Sequence, residues 1–95
     1  MKQIIVTRHP ALIEYLKKYG YVTNDIEHVT HANVDDVKDK HVFGVLPLWL
    51  ACHCGKLTEI QLRLPNEKRG KELTLKDLEF FAKTPLKTYT IREVK

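Results

Sequence analysis

The sequence predicts an α/β fold: one domain over residues 1–95, three layers deep, with an open, mainly parallel sheet of about five strands carrying helices on both faces. Three observations predict it. Ile4-Ile5-Val6 and Val42-Phe43 put apolar residues on successive positions, as in strands buried on both faces. Such runs alternate with segments of helical period. Pro10 and Pro47 each stand where a strand-like run gives way to a helical one, and Pro10 suits the first helical turn, where a missing N–H costs nothing.

Taken in order, Lys2 to Val6 reads as a strand. The helix after Pro10 carries Leu12, Ile13 and Leu16 as its apolar stripe, with Tyr15 and Tyr19 beside it, and Gly20 stops it. Asp25 to Val29 is a weaker strand, and Asn33 to Asp36 a short turn of helix. His41 to Leu46, "HVFGVL", is a second buried strand. "PLWLACHC" reads as a short buried helix ended by Gly55, with Trp49 in the core. Glu59 to Leu64, "EIQLRL", alternates apolar and polar and reads as the fourth strand. "PNEKRGKEL" is a loop. Thr74 caps the next helix, Asp77 closing a short-armed capping box, and Leu75, Leu78, Phe81 and Ala82 face inward. Tyr89 to Val94 closes the sheet.

Hydrophobic residues at 43% and charged residues at 29% describe a soluble globule rather than a disordered chain. No apolar run approaches the ~20 residues of a membrane span. Met1-Lys2-Gln3 leads straight into a strand without the pattern of a signal peptide, so a cytoplasmic location is expected. The net charge of +4 suits an anionic partner, but no dense Lys/Arg block tracks duplex DNA. Cys52 and Cys54 flank His53; at ~100° per residue on a helix their side chains diverge and do not clamp one metal. His28 and His31 have nothing that brings them to those cysteines. No disulfide, metal or cofactor is expected.

In a parallel sheet, ligands bind beyond the carboxyl ends of the strands, where the strand order reverses. With order 2-1-3-4-5, the first and third strands flank that point. Arg8 and His9 end the first, Leu46-Pro47 ends the third, and "PNEKRG" follows the fourth. The edge then gathers Thr7, Arg8, His9, Lys68, Arg69 and Lys71. The helices after Pro10 and Pro47 aim their positive ends at it. Arginine forks grip phosphate oxygens in pairs, and His9 adds an imidazole, the side-chain type suited to moving a proton.

No glycine lies within Thr7 to Pro10, so the phosphate-loop and dinucleotide fingerprints both fail. The edge also lacks the carboxylate cluster of two-metal nucleases; Glu67 and Glu72 are its only acids in the fourth loop. Metal-free transesterification remains. A ribose 2′-hydroxyl attacks the adjacent phosphorus, a base takes its proton, and cations stabilise the phosphorane. Such chemistry needs RNA and leaves a 2′,3′-cyclic phosphate. Plainer readings stand beside it: His9 as a cap or solvated residue, Arg8 paired with Glu14, Thr7 as a helix cap, and Glu67-Lys68-Arg69 as a wet loop.

"VTRHP" closing the first strand, "LPLWLA" after the third, "LRLP" ending the fourth and "RGKELT" before the last helix together resemble the small CRISPR-associated family called Csx-sixteen. The likeness covers most of the chain; Trp49 and the tail "TYTIREVK" depart from it. The resemblance implies a Rossmann-like fold and a homodimer with a ring-shaped ligand across its two-fold axis. It also implies a ring nuclease of type III CRISPR defence, which cuts cyclic tetra-adenylate to linear di-adenylate without metal and so silences the signal. Thr7, Arg8, His9, Arg69 and Glu72 carry over from the shared motifs. On this reading Arg8 and Arg69 hold phosphates and stabilise the transition state. His9 acts as general acid or base, or orients the 2′-hydroxyl. Thr7, Lys68, Lys71 and Glu72 contact substrate, and the apolar edge of Leu46, Pro47 and Leu48 packs adenine or the second subunit. The alternatives are a sponge or sensor that binds the ring without cutting, a general single-stranded RNA binder, and a structural subunit that binds no nucleotide. The RNA binder is disfavoured by an aromatic content of 8% with no stacking stripe.

Overall fold

The computed structural model describes residues 1–95. Five strands form one sheet: β1 (Gln3–Val6), β2 (Glu27–Val29), β3 (His41–Gly44), β4 (Lys56–Glu59) and β5 (Lys87–Tyr89), in the order β2-β1-β3-β4-β5. The first four are mutually parallel and β5 is antiparallel to β4. The helices are α1 (Pro10–Lys18), α2 (Val34–Val37), α3 (Leu48–Ala51) and α4 (Leu75–Phe81), with a 3₁₀ turn at Asn66–Lys68.

The apolar runs explain the layering. Along β1, Ile5 faces one core cluster while Ile4 and Val6 face another; along β3, Phe43 and Val42 divide the same way. The side-chain period of two thus feeds both faces of the sheet. Leu12, Tyr15 and Leu16 of α1 and Leu78 of α4 cover the Ile5 face. Val37, Leu50 and Ala51 from α2 and α3 cover the other. Pro10 occupies the first turn of α1, as expected, and Thr74 with Asp77 forms the predicted reciprocal capping box on α4.

Four expectations are corrected. The fourth strand is Lys56–Glu59, not Glu59–Leu64. The alternating segment after it is extended but leaves the sheet and lies against the end of α4: the Arg63 N–H donates to the Phe81 carbonyl at 3.0 Å, and the Lys83 N–H to that of Gln61 at 2.8 Å. Because the chain returns alongside the segment it left by, β5 is antiparallel. It comprises Lys87–Tyr89 rather than Tyr89–Val94, with Glu59 opposite Lys87 and Leu57 opposite Tyr89. The third strand stops at Gly44, where φ reaches +136°, and Val45 turns outward. "PLWLACHC" forms only a four-residue helix. Leu50 and Ala51 reach the core, whereas Leu48 and Trp49 are 74% and 65% exposed. One short turn buries only one side, so Trp49 is a surface residue.

No helix is long and apolar enough to cross a membrane.

Candidate anion-binding rim

The predicted switch point exists, because β1 lies between β2 and β3. Val6 is in register with Val29 on one side and Gly44 on the other. Beyond Val6, the Thr7 N–H donates to the Val29 carbonyl at 3.1 Å, which carries the ladder one residue past the strand. The Thr7 hydroxyl accepts from the His9 N–H at 3.1 Å. It therefore braces the bend before α1 and does not cap the helix. His9 is the N-cap residue, and its imidazole makes no capping bond. It is left to face outward, half-buried.

Three adjoining clefts open at this edge, and His9 lines all of them. The first, about 350 Å³, is lined by Arg8, His9, Leu64, Lys68, Gly70, Lys71, Glu72 and Leu73. Its charged wall holds three cations against one carboxylate. The second, about 370 Å³, joins Thr7, Arg8 and His9 to Thr30 and His31 from the end of β2 and to Val45 from the end of β3. The third, about 220 Å³, is apolar; Leu12, Val45, Ile60, Leu62, Leu64, Leu73 and Leu78 line it beside Thr7 and His9.

Of the site residues read from the sequence, Arg8, His9, Lys68, Lys71 and Glu72 meet in the first cleft, and Thr7 lies in the other two. Arg69 is exposed in the same loop but lines none of the three. Pro47 and Leu48 stand at the exposed start of α3, also outside them. Leu46 is buried and unavailable to a ligand. Four residues are too few for α3 to present a useful dipole, so of the two helices expected to point at the edge only α1 contributes one.

The cations are not equally free. Arg8 makes no ion pair, with Glu14 or any other carboxylate. Lys68 Nζ lies 3.4 Å from Asp77 Oδ1, which ties the loop to the head of α4. The Thr74 backbone N–H holds the Asp77 carboxyl below the usual carboxylate range; the Thr74 hydroxyl and Lys68 add to this, against partial desolvation.

Thr30 and His31 were not singled out for this edge from the sequence. The signal was available, since Val29-Thr30-His31 leaves β2 as Val6-Thr7-Arg8 leaves β1, in register. At the rim and elsewhere, no three His, Cys, Asp or Glu side chains are grouped so as to hold a metal ion. Cys52 and Cys54 follow α3, their thiols bonded to the Trp49 and Ala51 carbonyls; burial pushes the Cys54 thiol up.

No curated protein and no solved structure matches the chain. A family model described as "Putative CRISPR-associated protein (Cas_VVA1548)" matches residues 4–92, the whole rim included. The chain belongs to that CRISPR-associated family.

Proposed function

We propose that this protein is a ring nuclease of CRISPR defence, a homodimer that binds cyclic oligoadenylate, cyclic tetra-adenylate foremost, and cuts it by metal-independent 2′-hydroxyl attack. The observation that carries the reading is the meeting of Arg8, His9, Lys68 and Lys71 in one cleft at the carboxyl edge. Guanidinium and ammonium groups there neutralise phosphate and the charge that grows on phosphorus. His9 reaches from that cleft into the apolar one, which shares Leu64 and Leu73 with it. A phosphate in the cationic cleft and an adenine in the apolar one is the division of labour that a nucleotide requires. A four-phosphate ring has two-fold symmetry, and a dimer presents the rim twice around it. Membership of a CRISPR-associated family supplies the biological setting.

Incubating the protein with cyclic tetra-adenylate in excess chelator tests this. Linear di-adenylate ending in 2′,3′-cyclic phosphate is the expected product; an intact ring overturns the reading.

One observation favours sequestration instead. Lys68 is engaged by Asp77 and Arg69 lies outside the clefts, which leaves Arg8 and Lys71 as the unpaired cations. Stoichiometric ring binding with no product after long incubation selects that alternative.

A further inference from the structure

The second cleft brings an additional imidazole to the edge. Its lining residues are Val6, Thr7, Arg8, His9, Thr30, His31 and Val45, so two histidines and an arginine line one space with no carboxylate present. The placement follows from the sheet. Val6 and Val29 are register partners, the Thr7 N–H extends the pairing to the Val29 carbonyl, and the two chains leave the sheet side by side. His31 is exposed and forms no hydrogen bond or ion pair, so no structural duty occupies its ring. His41, by contrast, is part-buried and its ring is bonded to the Thr58 hydroxyl at 2.6 Å.

We propose that His9 and His31 form a proton-transfer pair, with His31 the second catalytic residue of the reaction proposed above, on which this inference rests. The step needs two groups. As the ribose O2′ bonds to phosphorus, its proton passes to one neutral imidazole. As the bond from phosphorus to the 5′-oxygen breaks, the other, protonated, imidazole gives that oxygen its proton. The products are a 2′,3′-cyclic phosphate and a 5′-hydroxyl, and no water, metal or oxidant is consumed. Attack is in line, so donor and acceptor must sit on opposite sides of the phosphorus. One loop does not easily supply both sides; two adjacent strand ends do. Arg8, common to this cleft and the first, is placed to hold the non-bridging oxygens.

The test is the pH–rate profile of cyclic tetra-adenylate cleavage by the parent protein, His9→Ala and His31→Ala, with circular dichroism to confirm folding. The parent is expected to give a bell, and each variant to lose about 10²-fold at the optimum. The variants should flatten opposite limbs of the bell, and exogenous imidazole should restore part of the His31→Ala rate. A His31→Ala protein with full rate, or one that loses the same limb as His9→Ala, overturns the pair and leaves the ring-nuclease reading standing. A parent that cuts no ring overturns both.

Discussion

Gly44 lies so close to Val6 that a β-carbon on Gly44 would sit 2.0 Å from the Val6 carbonyl oxygen. The two are register partners at the point where β1 and β3 leave the sheet, one toward Thr7-Arg8-His9 and the other toward Val45-Leu46-Pro47. Gly44 also has φ +136°, which side-chain-bearing residues rarely adopt. Sterics and backbone strain therefore act together. Gly44→Ala is expected to cost about 3 kcal/mol or more, of the order of overpacking combined with a strained φ. Urea denaturation measures it. At roughly 4–8 °C per kcal/mol for a domain of this size, a variant melting within about 4 °C of the parent contradicts the contact.

Arg8 and Arg69 should separate cleanly. Arg8 lines two clefts without an ion pair, and Arg69 lines none. Removing a charged hydrogen-bonding group costs about 1.5–3 kcal/mol, so Arg8→Ala should weaken binding of cyclic tetra-adenylate about 10- to 100-fold. Arg8→Lys, which keeps charge but loses the planar fork, should recover only part. Arg69→Ala should stay within about 3-fold, the screened share of an exposed charge. Fluorescence anisotropy at fixed salt decides; equal losses in the two alanine variants would place Arg69 on the ligand.

His41 predicts a pH dependence of stability. Its Nε2 is 2.6 Å from Thr58 Oγ1, and Thr58 is in turn 2.6 Å from Thr88 Oγ1, a chain that joins β3 and β4 to the edge strand β5. Burial, with the Lys56 charge adding, pushes its pKa below the ordinary histidine value. The unfolded chain then binds the proton more readily. The contribution to stability is complete above about pH 6.5, where the unfolded group is neutral, and is lost as pH falls toward the lower folded value. Asp25, Asp77 and Glu79, all held low, act further down, near and below about pH 4. Urea midpoints between about pH 7.5 and 5 should fall in the parent and stay nearly level in His41→Gln. Parallel slopes would assign the dependence elsewhere.

The Thr74–Asp77 box should be worth about 1 kcal/mol. Its two bonds, Thr74 N–H to Asp77 Oδ2 at 3.0 Å and Asp77 N–H to Thr74 Oγ1 at 3.1 Å, satisfy donors that α4 otherwise leaves open. Thr74→Ala should lower the melting temperature by roughly 4–8 °C. An unchanged midpoint would mean that water replaces the cap at no cost.

What the sequence disclosed tracks where burial is two-sided. Ile4-Ile5-Val6 and Val42-Phe43 could only be central strands, and the order around β1 placed Thr7, Arg8 and His9 at the switch point. β4 was hidden because its buried centre is polar: Thr58 is 3% exposed, yet His41 and Thr88 satisfy it, so no apolar run marks it. β5 was misplaced because an edge strand whose residues are all exposed carries no hydrophobic signature. The alternation in "EIQLRL" reported extended backbone faithfully, but period two does not name the pairing partner. The Asn66–Leu73 loop has no period at all, so neighbouring cations in it could not be sorted into those that enter the cleft and those that do not.

Trp49 offers the sharpest test of the dimer. Four residues of α3 expose Leu48 and Trp49 together, and Val45, 70% exposed, stands at the end of β3 just before them. Val45 also lines the second and third clefts, so this apolar surface borders the rim that the proposed dimer places around the ring. A stable interface removes about 800 Å² per partner and is anchored by a few large side chains, tryptophan prominent among them. If the subunits meet here, Trp49→Glu introduces a charge that the interface must desolvate, while the isolated fold loses little because the indole is 65% exposed. The parent should therefore sediment at the mass of two chains and Trp49→Glu at that of one, with matching circular dichroism spectra. Ring cleavage should fall with dimer content if the proposed dimer closes the two rims around the ring. A Trp49→Glu protein that remains dimeric would move the interface elsewhere, and a monomeric parent that still cuts the ring would show that one rim suffices.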